Sequence, residues 1–596
     1  MLRILAIASL LVIVFPAQTG GQFTDEVAGP EAEPLVVYVA RKVVTMDPTR
    51  PFATAVAVRD RHVVSVGSLD DLAPWLEAHP HTIDRRFADK VLLPGFVDPH
   101  LHPFLAAVQF GTTWITPEAW RLHDAEIPAA RTPEEYWQRL SAAVEAAETG
   151  SEPIFITWGW SAPEHGPMTR SMLDELGSEK PIMVWQRSVH EAVFSTAALQ
   201  WMQLAEEDVA DHAETVDWEE GRFVEAGFFG VAVPRLAGYL LAPDFIDAGY
   251  TRAADYLVSG GITTVGDLST GKLDWELETA TNQRNLVEAE VPYRTVLFPA
   301  AYALEEQKGG LEEAFDFVDA EMAKPASSPQ IVRGKRVKLF ADGAMFAQLM
   351  QLGEPGYIDG HNGEWITPQI AFEAQATKYW TAGYRIHVHA NGDRGIDFVL
   401  DVFERLQEEH PRRPHALVVE HYGYADDVLN RRVATLGAAV SANPYYLVGL
   451  GDSYTRVGLG ADRAQRITPL SGLVERGVPL ALHSDFGMAP ARPLLLAAWA
   501  ATRRTVGGQV MIPPRGLTLD EAMRAITVDA AYVLGLEGLI GSIQSGKLAD
   551  FAVLDADPYE AGVEGLADIG IWGTVFEGRP VPAHRGPAGG GPGSPH

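Results

Sequence analysis

The 596-residue chain has no cysteine. That excludes disulfides, thiolate metal ligands, a cysteine nucleophile and a lipid-anchored N-terminal cysteine, so any metal ligand must be His, Asp, Glu or a modified Lys. Positive charge is also scarce: 47 Lys and Arg face 79 Asp and Glu, a formal net charge of -32. Such a surface repels phosphate backbones and anionic lipid, which argues against nucleic acid as a partner, and its default role is solubility. At the N-terminus, the apolar run from Ile4 to Val14 is too short to span a bilayer comfortably. Behind the basic Arg3 it fits the core of a secretory signal over residues 1–20, so export to the periplasm or the exterior is expected, with no membrane contact after cleavage. The remainder, in a chain 47% hydrophobic and 21% charged, is globular and long enough for more than one domain.

Chemistry first shows in "VLLPGFVDPHLHPF", residues 91–104. A strand sends residues i, i+2 and i+4 to one face, so Asp98, His100 and His102 point the same way. Neutral imidazoles converging from a rigid strand bind zinc-like ions, and a carboxylate beside them can orient a ring or bind the metal. Taken alone, the HxH pair fits two surface histidines at a strand end equally well.

The rest of the chain alternates apolar β-branched runs with stretches of helical spacing. Eight runs stand out: 91–98, then "GITTVGDL" from 261, "PYRTVLFP" from 292, "RVKLFADG" from 336, "YRIHVHANGD" from 384, "HALVVEHY" from 415, "GAAVSANP" from 437 and "VPLALHSD" from 478. Eight parallel strands with crossover helices predict an α/β fold with a TIM-type (β/α)8 barrel, whose active site gathers at the C-terminal strand ends. The candidate residues fall there. His100 and His102 follow the first run, Lys338 lies in the fourth, His387 and His389 end the fifth, His421 the sixth and Asp485 the eighth. Core histidines satisfied locally have no reason to collect at strand ends, so the set favours a metal site.

The gap between the first two runs, about 104–255, is too long for a loop and predicts a large insertion after strand one. It carries "TPEEYW", a capping box of Thr132 and Glu135 with Pro133 at the first helical position, and the strand-like "PIFITWGW" and "PIMVWQRSVH". Short strands at both chain ends, over 33–90 and 537–585, predict one small β-domain flanking a barrel at 91–536. A second capping box, Thr518 with Glu521, opens the helices of "LTLDEAMRAITVDAAYVLGL", and the Gly/Pro-rich 586–596 predict a disordered tail.

Together "LLPGFVDPHLH", "VKLFADGA", "HVHANGD", "VVEHY", "ALHSDFGMAP" and "GSIQSGKLADFAVLDADP" make the sequence resemble the amidohydrolase superfamily, within it amidohydrolase family 3 and its N-substituted formamide deformylase-like hydrolases. The resemblance runs from about residue 35 to 580, with departures at Gly266 and Asn391 and in the insertion. It implies two divalent ions, zinc by type, with His100, His102 and Asp485 on one and His389 and His421 on the other. Lys338, carboxylated by carbon dioxide, would bridge them, since such ions lie roughly 3.5 to 4 Å apart and an unmodified lysine is cationic; the alternative for Lys338 is an ion pair with Asp342. Spacing alone does not separate His387 from His389; the family pattern assigns His389 as the ligand and leaves His387, like Asp98, behind the ligands. Asp485 is expected to shuttle the proton between water and a departing amine, while Trp158, His190, Tyr357 and His361 are candidates to line the pocket of a small-molecule substrate. The function implied is metal-dependent hydrolysis of amide or other non-peptide C–N bonds. A lactonase or phosphoesterase using the same ions, and a metal-binding regulatory or sensory protein with little turnover, are the alternatives. A homo-oligomer is left open.

Overall fold

The computed structural model describes residues 34–414 and 416–583, except the side chain of Ala226. The expected signal at 1–20 and the tail at 586–596 lie outside the described residues.

Both chain ends enter one seven-stranded sheet. Its order is Arg579–Pro582, Ile571–Phe576, Phe551–Leu554, His81–Pro94, Leu35–Val44, Phe52–Arg59 and His62–Gly67. The run read in the sequence as one strand, 91–98, is divided here. Val91–Pro94 ends the 14-residue strand of this sheet, and Phe96 begins another sheet. Gly95 makes the passage: its N–H donates to the Asp550 carbonyl at 2.8 Å, and a Cβ there would stand 2.1 Å from Thr263 Oγ1, so no side chain fits.

Eight strands then follow in chain order: β1 Phe96–Leu101, β2 Ile262–Thr270, β3 Arg294–Pro299, β4 Arg336–Phe340, β5 Arg385–Ala390, β6 Leu417–His421, β7 Ala439–Ala442 and β8 Leu480–Leu482. β1, β2 and β3 pair in parallel in one sheet, with the short Ile331–Val332 at its edge. β4 to β8 pair in parallel, each with the next, in a second. A parallel bridge between Ala300 and Lys338 joins the two sheets, and the Asp485 N–H donates to the His100 carbonyl at 2.9 Å on the far side. Nearly every residue of these strands is buried, because helices such as Trp275–Asn282, Gln369–Thr381 and Asp393–Glu409 follow them. Continuous apolar runs such as "LVV" in β6 reflect that two-sided burial.

Between β1 and β2 the chain forms a six-stranded sheet of its own, from Val216–Asp217 at one edge to Thr113–Trp114 at the other, with helix Pro133–Ala147. The Thr132 hydroxyl accepts the Glu135 N–H at 3.2 Å, as its spacing predicts. The Glu135 carboxylate, however, accepts from the Arg131 N–H at 2.6 Å, one residue outside the expected reciprocal box. At Thr518 and Glu521 both halves of the box form.

Candidate active site

Residues paired across parallel strands share a face. Lys338 stands opposite His387, His389 opposite Glu420, and Glu420 opposite Ser441. Since His387 and His389 are two apart, all five project into one space, with His483 just past the end of β8. His100 and His102 enter that space from β1. His421 and Asp485 sit at strand ends with φ of 74° and 52°, left-handed values that a residue with a Cβ adopts only where surrounding contacts hold it.

The polar atoms interlock. His100 Nδ1 lies 2.7 Å from Glu420 Oε2, which leaves Nε2 facing Asp485 Oδ1 at 3.7 Å. His102 Nε2 lies 3.1 Å from the same oxygen. His421 Nδ1 stands 3.8 Å from Asp485 Oδ2 and 3.1 Å from the Tyr446 hydroxyl. His483 Nδ1 meets Ser441 Oγ at 2.7 Å, and its Nε2 is buried without a hydrogen-bond partner. His389 meets His421 edge to face, ring centres 4.4 Å apart, with its Nε2 accepting from the Asn391 amide at 2.8 Å. His387 differs: its nitrogens face Glu420 Oε1 at 2.5 Å and the Val533 carbonyl at 2.9 Å, so neither nitrogen is open to an ion.

Electrostatics suit cation binding. Burial, then neighbouring positive groups, drives His100 and His421 well below 6.5; burial likewise brings His389 to about 3 and His483 to about 4, so these rings are neutral, and those of His100, His421 and His483 can offer a lone pair. Burial opposes ionisation of Asp485, but the hydrogen bond and charge of His102 hold its carboxyl below the usual range. Burial also lowers Lys338 to about 8, and its Nζ has no hydrogen-bond partner. Asp342 does not supply one, since its oxygens accept the N–H groups of Gln351, Asn391 and Gly392 at 2.8 to 2.9 Å. Asp98 ties β1 to the end of β8, accepting from the Ser484 N–H at 3.1 Å and hydroxyl at 2.5 Å.

Two donor triads fit a metal ion: His100, His102 and Asp485, and His100, His421 and His483, each with ligand atoms within 4.8 Å of one another. His483 and Glu420 are additions to the residues read from the sequence. His483 and Asp485 repeat the i, i+2 spacing of His100 and His102, which was the signal available for it; Glu420 carried none beyond adjacency to His421.

The pocket candidates separate. His190 Nδ1 lies 3.0 Å from both Glu225 oxygens. Trp158 is wholly buried among Trp114, Trp120 and the Arg187 guanidinium. Tyr357 stacks on His361 with centres 4.2 Å apart, and His361 is held by Asp359 and the Gln348 carbonyl. A cleft of about 760 Å³, lined by Arg187, Phe346, Gln348, Tyr445 and Tyr454, opens between the region that joins β1 to β2 and the segments after β4 and β7. Tyr445 and Phe346 pack in this wall beside Tyr446, which touches His421.

Residues 88–582 match the model of the amidohydrolase family. The chain belongs to that family, whose members hydrolyse carbon–nitrogen bonds other than peptide bonds. It is 24% identical over 559 residues to the N-substituted formamide deformylase of Arthrobacter pascens, covering 91% of this chain and 97% of the relative. It is also 24% identical over 544 residues to the protein LONG AFTER FAR-RED 3 of Arabidopsis thaliana, covering 87% and 86%. Among solved structures, an uncharacterized metal-dependent hydrolase from Pyrococcus horikoshii OT3 superposes with a TM-score of 0.69 at 20% identity, over 89% of this chain and 99% of that one.

Proposed function

We propose that this protein hydrolyses the C–N bond of a small N-substituted formamide or related amide, using divalent ions held by His100, His102, His389, His421 and Asp485 with His483 beside them. The single observation that carries the reading is the convergence of His100, His102 and His421 on Asp485, their ring nitrogens 3.1 to 3.8 Å from its carboxylate oxygens. Two zinc-type ions are the expected load, and Lys338 as its carbamate would be a further ligand to them; carboxylation needs the neutral amine, and burial of Lys338 favours it. When bound, such ions supply a water of lowered pKa and polarise a carbonyl oxygen. Asp485 accepts the proton of the attacking water and passes it to the departing amine. Glu420 keeps His100 turned with Nε2 toward the site. His190, steadied by Glu225, contacts the substrate from the inserted region.

The architecture we read around this site is one barrel of β1 to β8, closed through the Ala300 bridge and the Asp485 bond, with the insertion over its C-terminal ends. The seven-stranded sheet is a separate small domain, its strands drawn from 35–94 and 551–582. Export through residues 1–20 belongs to the same proposal. The test is turnover by the metal-loaded protein of N-formyl, N-acyl, cyclic amide, lactone and phosphotriester probes, with metal content by elemental analysis. We expect turnover of the amide probes, lost on chelation. Asp485→Asn should lower kcat by about 10²- to 10⁴-fold with KM little changed. Chelation without effect on turnover overturns the metal assignment, and preferential cleavage of the lactone or phosphotriester overturns the bond assignment.

A further inference from the structure

We infer that Arg187, contributed by the inserted region, is a positioning residue for Asp485. The side chain is buried, and every part of its guanidinium is engaged. Nε donates to Glu118 Oε1 at 2.7 Å, Nη1 to the Gly487 carbonyl at 3.1 Å and Nη2 to the Met488 carbonyl at 2.6 Å. Its guanidinium carbon lies 4.8 Å from the centre of the Trp158 ring and 5.3 to 5.7 Å from those of Phe346, Trp120 and Tyr445. Gly487 and Met488 belong to the turn that Asp485 opens: the Met488 N–H returns to the Asp485 carbonyl and the Ala489 N–H to that of Ser484. Because Asp485 takes a left-handed φ of 52°, the turn keeps its form only while outside contacts hold it. On one side the hold is the Asp485 N–H on the His100 carbonyl; on the other it is Arg187.

A planar fork reaching two successive carbonyls fixes direction as well as distance, which a lysine ammonium does not do. The inserted region is therefore part of the catalytic machinery through this contact, besides forming one wall of the cleft. A misplacement of about 1 Å in a reacting group can cost about 10²-fold in rate. The inference rests on the reading of Asp485 as proton shuttle.

The experiment uses the full-length, metal-loaded protein with N-(4-nitrophenyl)formamide as probe. Arg187→Met should lower kcat by about 10²-fold with KM within about threefold and metal content unchanged. Arg187→Lys should recover only part of the loss. In an Asp485→Asn background Arg187→Met should cost nothing further, because it acts through that carboxylate. A crystal structure of Arg187→Met should show the Asp485 carboxylate displaced from its 3.1 Å contact with His102. Wild-type kcat in Arg187→Met, an equal loss in the Asp485→Asn background, or an undisplaced carboxylate would each overturn the inference. If Arg187→Met does not fold, Glu118→Gln, which frees the other end of the fork, takes its place with the same outcomes. Absence of turnover by the wild type refutes the hydrolase reading instead, and the crystallographic arm still decides the positioning.

Discussion

At the scale of single residues, Glu420 governs more of the site than any expected ligand. His100 and His387 both hydrogen-bond to it, and His483 Nδ1 lies 3.5 Å from it. Burial works against its ionisation, yet the hydrogen bond and charge of His387 hold its carboxyl below the usual range. Glu420→Gln should keep the shape but release the tautomer of His100, and metal affinity should fall by about 10- to 100-fold, measured by competition with a chromogenic chelator. Unchanged affinity would mean that His100 is oriented by its packing alone. Sequence reasoning reached His100, His102, His389 and His421 because strand periodicity and strand ends are local properties. It did not reach Glu420, whose importance comes from partners 320 and 33 residues away in the chain. Nor does periodicity distinguish His387 from His389; their partners do differ, the Glu420 carboxylate and the Val533 carbonyl for His387 and the Asn391 amide for His389.

Among elements, the inserted region shows where local reading stops. Its helix start at Thr132 was legible, and so were the strand-like runs that became Phe155–Trp160 and Ile182–Gln186. Their assembly into a six-stranded sheet, and the reach of Arg187 into the Asp485 turn, depend on contacts that no periodicity encodes. This region also carries an acid-sensitive joint. His165 Nδ1 accepts the Ser161 N–H at 3.0 Å while its Nε2 donates to the Ala130 carbonyl at 2.7 Å, and the ring stacks 4.3 Å from Tyr136. Only the neutral ring can do both, and burial holds its pKa below 6.5. The unfolded chain then takes up the proton first, so this contribution to stability is complete above pH 6.5 and is lost as pH falls from there toward the folded-state pKa. Thermal unfolding from pH 7.5 to 5 should show a decline in stability for the wild type that is shallower in His165→Gln. Equal slopes would place the acid sensitivity elsewhere.

For the molecule as a whole, the question is what binds the end-built sheet to the parallel strands. Arg294 on β3 answers it. Nearly inaccessible to solvent, it pairs with Asp550, which directly precedes the interior strand Phe551–Leu554 of the sheet, with Glu577 Oε1 at 3.2 Å and with Thr264 Oγ1 on β2 at 3.0 Å. Asp550 in turn receives the Glu577 N–H at 2.8 Å, and its carbonyl takes the Gly95 N–H where the chain passes between sheets. Burying this charge is costly, but removing one partner costs more, because the other charge stays behind without compensation. Asp550→Ala should therefore destabilise the protein by about 3–5 kcal/mol in urea unfolding. Arg294→Met combined with Asp550→Leu, which removes both charges and keeps the volume, should recover much of that loss. The two measurements together discriminate. If the single and double variants are equally destabilised, the ion pair does not join the sheets, and the shared strand His81–Pro94, running through Gly95 into β1, holds them together by chain connectivity and apolar packing alone.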